Sequence, residues 1–391
     1  MQHGHNLNPE TLVAVECVVD PALFRSLRGE WQDLFSRCPR ATPFNSWDWL
    51  FSWWQAYGAG RPLRVVLVRV DGTLVGIAPL YIGQERTPLR TPCRVMRFIG
   101  DGTFDSDHLG FLIDPFRESV VMRQFEDWLR RSRDWDVLAL REIDGDSGLV
   151  PAMQDVARSL GLRFRSEESV CAVLDLPASY EEFLQARQSR FRTKARSLMR
   201  KIDQGEVVFE TQCGAVGLRR IVRSLFDLHQ RRWNAAGQPG VFGLRAKRLF
   251  YAHFVPRFAR TGWLRLYSLR RGQDYVAHQL CFGGAGTTFL LQEGFDVSDP
   301  AASFGQMLRA AVVRQLIESG EARYDFLGGF SSHKQDWGAR PGKVVHLLLA
   351  KGNLTAFLYF NSPAWRERIA ATAKRVLPEP VLKHLRRAGA A

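Results

Sequence analysis

The stretch Tyr324-Asp325-Phe326-Leu327-Gly328-Gly329 reads as a short buried strand ending on a glycine pair. A strand that stops on glycines lets another molecule approach its backbone closely. Behind it comes a basic and aromatic loop, His333-Lys334 and then Trp337-Gly338. Just upstream, Ser303-Phe304-Gly305-Gln306 opens the helical pattern Met307, Leu308, Ala311, Val312, Leu316, Ile317. A Ser/Gly turn at a helix start offers free backbone N–H groups and a positive dipole end, which suits a phosphate. Helix, strand and polar loop in this order predict a mixed α/β fold that meets an anionic ligand at a strand end.

At 391 residues the chain exceeds the usual size of one core, so two domains are expected. Its 46% hydrophobic and 24% charged content is ordinary for a globular protein. The formal net charge of +14 points to nucleic acid, an anionic membrane surface or phosphorylated ligands, without choosing among them. The cysteines at 17, 38, 93, 171, 213 and 281 form no Cys-x-x-Cys pair and no His/Cys cluster. That argues against a zinc site and a disulfide framework and suits a reducing compartment. The start, Met1-Gln2-His3-Gly4-His5, lacks the apolar core of a signal peptide, and no apolar run approaches the ~20 residues that span a bilayer. The expected location is cytoplasmic, with peripheral contact to the inner membrane as an option.

The same supersecondary order reads twice along the chain. Strand Thr11 to Val19 precedes the helix-start signal Asp20-Pro21, and a helix runs to about Arg37. A second helix spans about Trp47 to Tyr57. Strands Leu63 to Val70 and Leu74 to Ile82 flank the hairpin turn Asp71-Gly72. Arg94 to Ile99, Leu109 to Ile113, a helix from Pro115, strand Asp136 to Leu140, helix Val150 to Leu160 and two strands within Leu162 to Leu176 follow. The second round has strand Glu206 to Thr211, helices Val216 to Trp233 and Ala246 to Arg260, and hairpin strands Leu264 to Leu269 and Tyr275 to Phe282. Strand Thr287 to Glu293, the Ser303 helix, the Tyr324 strand and strand Val344 to Lys351 complete it. Each round implies a largely antiparallel sheet split by one parallel crossover.

Between the rounds, residues 183–202 hold seven Lys and Arg and no acid in a helical pattern, either a solvated linker helix or an anionic-surface contact. Beyond residue 352, Trp365, Ile369, Val376 and Leu377 share a helical face among Arg366, Arg368, Lys374 and Arg375. This tail either docks on the protein or lies on a membrane surface.

Several separated segments together resemble the tandem branch of the Gcn5-related N-acetyltransferase superfamily, the cellulose-biosynthesis-type acetyltransferases, which is similar to the Fem aminoacyl transferases. They are Phe44-Asn45-Ser46-Trp47-Asp48-Trp49 with Trp53-Trp54, Leu74-Val75-Gly76-Ile77-Ala78-Pro79-Leu80, His229-x-x-Arg232-Trp233, and Tyr324 to Trp337. The likeness covers roughly residues 12 to 350. It implies an α/β chain with mixed sheets of the α+β type, in two tandem acetyltransferase-like domains. Residues 1–177 would be a degenerate first domain, 178–352 a catalytic, acyl-CoA-binding second domain, and 353–391 the basic amphipathic tail.

N-acyl transfer from a thioester requires that the CoA pyrophosphate be held, the carbonyl oriented and a neutral amine delivered. Ser303, Gly305 and Gln306 are the candidates for the pyrophosphate, with Phe304 a departure from the superfamily's glycine-rich signature. A plain helix cap is the competing reading. The amine must lose a proton, since an ammonium cannot attack. His229 in the matching helix and His333 in the closing loop are the candidate bases. The alternative for His229 is a core histidine. Asp325 on an apolar strand must be paired or functional, and Lys334 is its natural partner. Arg232, Trp233 and His278 are substrate-binding candidates. So are Asp107 and His108, in a turn that the resemblance places near the interdomain cleft. A metal role for Asp105-Ser106-Asp107-His108 has weak support, because acids in turns are commonly solvated. No Gly-x-Ser-x-Gly elbow and no Walker-type loop occurs.

The expected activity is therefore an acyl-CoA-dependent N-acyltransferase, acting without metal on an amine of an envelope, polysaccharide or lipid precursor, a sphingoid-type long-chain amine among them. The alternatives are a Fem-like transferase using aminoacyl-tRNA, and a non-catalytic membrane-surface or nucleic-acid adaptor. No long inserted hairpin of the tRNA-binding kind appears, so nucleic acid is the less favoured partner.

Overall fold

The structure, a computed structural model, describes residues 12–362 apart from 215 and 285. The first round comprises β1 (Val13–Val18), α1 (Pro21–Ser26), α2 (Arg28–Ser36), α3 (Trp47–Tyr57), β2 (Leu63–Val70), β3 (Thr73–Arg86) and β4 (Pro92–Phe98). It continues with β5 (Leu112–Ile113), α4 (Glu118–Arg131), β6 (Val137–Asp144), α5 (Leu149–Ser159) and β7 (Arg163–Asp175). Helices α6 (Tyr180–Gln185) and α7 (Ser189–Asp203) link it to the second. There follow β8 (Val208–Gln212), α8 (Leu218–Ala235), α9 (Arg245–Thr261), β9 (Leu264–Arg271), β10 (Asp274–Gly284) and β11 (Thr287–Phe295). The last elements are α10 (Phe304–Glu318), β12 (Arg323–Gly328), α11 (Ser332–Asp336), β13 (Arg340–Ala350) and α12 (Leu354–Phe360). The tail face from Trp365 onward lies outside the described residues. No described helix is long and apolar enough to cross a membrane.

Local rules account for the element starts. Asp20 accepts from the Ala22 amide at 2.8 Å ahead of Pro21, and Ser46 accepts from the Trp49 amide at the head of α3. Asp71 and Gly72 take positive φ, as a two-residue hairpin turn demands. The stretch 162–176, expected as two strands, is one strand of 13 residues. The 183–202 stretch forms α6 and α7. Leu198 and Met199 are buried, and Arg196 pairs with Glu181 at 2.7 Å.

Two side-by-side sheets were expected; one continuous sheet forms instead. Its strand order is β1-β2-β3-β4-β6-β13-β7-β12-β11-β10-β9-β8, with β5 paired to β3. The order is symmetric about its middle. In each round the antiparallel strands lead to a parallel pair across a helix, β4 with β6 and β11 with β12. Each round's last strand then pairs with the other round. β13 runs antiparallel to β6, and β7 antiparallel to β12. The two exchanged strands pair with each other from Arg340↔Val173 to Ala350↔Arg163.

The cores follow this exchange. One cluster joins α3 of the first round to α9 of the second around Trp49, which is fully buried. Its ring lies 4.9 Å from both Phe250 and Phe254 and 5.0 Å from Phe44. A second cluster gathers under α10, with Tyr324 and Trp337. Replacing Trp49 by Ala should cost about 3–5 kcal/mol, as for other buried aromatics. Because that core is shared, denaturant unfolding should show one cooperative transition in both proteins; two resolved transitions would contradict a shared core.

Candidate active site at the seam of the two copies

Strands β11 and β12 pair over only three residues, Thr287↔Arg323, Thr288↔Tyr324 and Phe289↔Asp325. β11 then runs on to Phe295 while β12 turns away. The turn has a visible cause. Leu327 sits at φ +57, and its amide donates to Asp325 Oδ1 at 2.7 Å. Gly329, at φ +82, needs the freedom of glycine, whereas Gly328 keeps ordinary φ. Lys334 Nζ draws the turn together by donating to the carbonyls of Phe326, Gly328 and Gly329 at 2.8–3.0 Å. Burial holds this ammonium's pKa below its usual value, against the pull of Asp325.

The parting strands frame a cavity of about 560 Å³ under the first turn of α10. Ser303, Gly305 and Gln306 line it, with Arg232 from α8 and His333 and Lys334 from α11. The amides of Phe304 and Gly305 have no backbone acceptor among the described residues, so the helix start points unpaired donors at the space. Gly305 serves packing as well. A Cβ there would lie 2.7 Å from the Phe295 ring, which covers the helix start. The Arg232 guanidinium stacks on that ring at 4.3 Å.

A buried polar chain backs the cavity. Tyr324 donates to Gln279 at 2.8 Å, Gln279 to Glu293 at 2.7 Å, and Arg309 to the same Glu293 oxygen at 2.7 Å. Arg309 also donates to His333 Nδ1 at 3.0 Å. Burial would raise the Glu293 pKa, but Arg309, Gln279 and Arg232 outweigh it and keep the carboxylate ionised. Burial and then Arg309 hold His333 below the usual histidine range, leaving a neutral ring on the cavity wall. Gln279, Glu293 and Arg309 were missed in the sequence. Their signal was an acid and a base each set in an apolar element, where only a partner makes burial tolerable.

Asp325 takes its partner from the other copy. His108 Nε2 lies 2.9 Å from Asp325 Oδ2, whereas Lys334 binds carbonyls, which corrects the expected Asp325–Lys334 pair. Burial alone would lower the His108 pKa. The hydrogen bond and charge of Asp325, with Asp107 and Asp144, reverse this and raise it. Burial also raises Asp107, beside the Gly328 backbone. Three non-glycine residues at this seam take left-handed φ: His108 (+50), Glu142 (+58) and Leu327 (+57). Such conformations cost free energy and gather at functional sites. The Asp105 turn is not solvated, because buried Asp105 pairs with buried Lys247 at 2.7 Å.

Two other histidines sit apart from the cavity. His229 is buried and accepts from Trp233 Nε1 at 2.9 Å, and burial pulls its pKa down to about 4. That geometry is the core alternative; His229 is not among the cavity-lining residues, and its Nδ1 is buried without a hydrogen-bond partner among the described residues. His278 is fully buried, with Ser268 at 2.8 Å and Ser224 at 3.0 Å on its two nitrogens, and burial takes it to about 3. It pins α8 to the sheet and has no atom left for a substrate.

Burial, then Asp107 and Asp101, raise Glu142 to about 7. A raised folded-state pKa means that the native state binds the extra proton. This contribution to stability is present below the unfolded value of about 4.5 and is lost as pH rises to about 7. Glu142→Gln should therefore gain stability over the wild type as pH rises through that window. The gain should reach about 1–2 kcal/mol, which is 1.36 kcal/mol per unit discounted for partial exposure. Paired urea melts at pH 4.5 and pH 8 measure it; a pH-independent difference would remove the charge from this account.

Residues 189–335 match the family model described as an acetyltransferase (GNAT) domain. Among solved structures, FemX aligns at a TM-score of 0.57 and 12% identity, over 81% of this chain and 95% of that one. The C-terminal domain of a protein assigned as a lysylphosphatidylglycerol synthetase from Agrobacterium fabrum aligns at 0.50 and 11%, over 85% and 93%. A tandem GNAT protein from the clavulanic acid biosynthesis pathway aligns at 0.45 and 13%, over 88% and 99%. No curated protein matches. Residues 189–335 thus match a GNAT-type domain, and the fold of the chain resembles that of FemX.

Proposed function

We propose that the protein is an N-acyltransferase whose donor is an acyl-CoA thioester held between β11 and β12, and whose acceptor is an amine of an envelope, polysaccharide or lipid precursor. A sphingoid-type long-chain amine is one such acceptor. The observation that carries this reading is the parting of β11 and β12 over the unpaired first amides of α10. Pyrophosphate oxygens suit those amides, and Arg232 and Arg309 add positive charge nearby. The acyl thioester would run on toward the Gly328–Gly329 turn, where the exposed backbone permits close approach.

In this reading the amine nitrogen attacks the thioester carbonyl, the C–N bond forms, and the C–S bond breaks to release the thiol. His333, neutral at pH 7, takes the amine's proton on Nδ1, giving up the hydrogen bond that nitrogen accepts from Arg309, and the proton passes on to the leaving sulfur. Asp325, tied to His108, and Lys334 position the turn and do not touch the reacting atoms. The catalytic copy would be residues 178–352. Its last strand, β13, belongs to the other copy's half of the sheet, so this boundary follows the sequence repeat rather than a separable body. Likeness to FemX favours one competing donor, an aminoacyl-tRNA.

Gln306→Glu tests the donor site. Glutamate in the first turn favours the helix, so folding should hold, while its charge opposes a pyrophosphate. Acyl-CoA affinity in calorimetry should fall at least tenfold, or about 1.4 kcal/mol. Unchanged affinity would move the donor elsewhere, and saturable binding of charged tRNA in place of acyl-CoA would select the competing donor.

His333→Ala should lower turnover by about 10² or more with donor affinity kept. Since the His333 pKa lies below about 6.5, the wild-type rate should climb with pH below that value and level off above it. The variant should lose this limb. A variant with full turnover would exclude His333 as the proton acceptor.

A further inference from the structure

Residues 218–261, which span α8 and α9, contain ten Lys and Arg and a single acid, Asp227. Three of these cations are matched by carboxylates: Lys247 by Asp105 at 2.7 Å, Arg232 by Glu293 at 3.6 Å and Arg257 by Asp48 at 4.0 Å. The rest of the positive charge on this face has no such answer among the described residues.

A groove of about 690 Å³ runs between the two helices. This lies within the ~300–1,000 Å³ of ligand pockets. Its floor is apolar, made by Val222, Phe226, Phe242 and Val255, and Ala252 on α9 leaves its wall low. Phe226 and Phe242 stack at 4.0 Å, so the floor is a formed surface. Arg219, Arg223 and Arg248 stand on the rim, all exposed. Arg248 is held there by donating to the Phe242 carbonyl at 2.7 Å. Arg219 and Arg223 meet no carboxylate among the described residues. Around the same helices large apolar side chains are left uncovered, Leu244 at 64% exposure and Leu249 and Trp233 at 39%.

We propose that this groove binds the hydrocarbon chain of an anionic membrane lipid, with the headgroup against Arg219, Arg223 and Arg248. The floor removes methylenes from water, which is the usual driving term for a bound chain. The unmatched arginines supply the attraction to an anionic leaflet, and arginine forks suit phosphate oxygens. A nucleic acid would use the cations but leave the apolar floor and the exposed leucines unused. The site is distinct from the donor cavity. Helix α8 stands between them, presenting Val222 and Phe226 to the groove and Arg232 to the cavity.

The test uses the full chain. Monomeric long-chain lysophosphatidylglycerol is titrated below its micellar concentration, with lysophosphatidylcholine as the neutral control, and vesicle flotation compares phosphatidylglycerol with phosphatidylcholine. The expected result is saturable binding of the anionic probe and flotation only with anionic vesicles. Val222→Trp fills the groove without changing charge and should weaken the anionic probe at least tenfold. Ala252→Phe does the same from the other wall, should Val222→Trp lower the melting temperature. Arg219→Ser with Arg223→Ser should abolish flotation. Wild-type affinity in both groove-filling variants would overturn the proposal, because charge alone or another segment would then explain binding. Equal binding of the neutral probe would overturn the headgroup assignment. Acyl-CoA affinity, read on the same variants, should not change, so failure here leaves the acyl-transfer reading standing.

Discussion

Each copy completes its sheet with the other copy's last strand. β13 must reach β6 and β7 must reach β12, and the exchanged strands pair along eleven positions. Withdrawing either strand would leave rows of unpaired backbone donors and acceptors at the middle of the molecule. The rest follows from this constraint. It brings the 101–109 loop of the first copy against the end of β12, so that His108 meets Asp325, 217 residues away in sequence. It also presses α3 onto α9 and merges their aromatic residues into one core.

The seam carries charges that would be costly if unpaired. Lys247–Asp105 and Arg309–Glu293 are each nearly buried on both sides, at 2.7 Å. Such pairs contribute little net stability over an apolar core, but removing one partner leaves a stranded charge. Lys247–Asp105 therefore specifies how the copies meet more than it stabilises the meeting, and Arg309–Glu293 does the same for α10 against β11 within the second copy. The two copies use their crossover differently. Under α4 the first copy packs Phe111 against Phe125 at 4.6 Å, whereas under α10 the second keeps its cavity, lined by charged residues. Equivalent topology thus carries an aromatic contact under one crossover helix and a charged cavity under the other.

Much of the fold was legible. The short apolar run Leu63 to Val70 and the helical spacing after Ser303 identified β2 and α10, because both are written in residues next to one another in the chain. The turn Asp71-Gly72 located a hairpin for the same local reason. The site was legible in part. Ser303, Gly305, Gln306, Arg232, His333 and Lys334 do come together around one space. His229 and His278 were singled out for being histidines on strong elements, yet partners from other elements, Phe242 and Ser224, enclose them. Burial of a side chain depends on what packs over it, and one strand or helix does not carry that information.

By itself the sequence determined the local alphabet: which segments are strands or helices, where they start, and that the pattern runs twice. These are decided by neighbours a few residues apart. Only the tertiary structure decided that the two rounds share one sheet, that Asp325 pairs with His108 and not Lys334, and that Glu293 answers Arg309 across a cavity wall. The Asp325–His108 pairing depends on the strand exchange, and the Glu293–Arg309 pairing on the burial of α10 against β11. Both arise from contacts between residues far apart in the chain, where no periodicity points from one partner to the other.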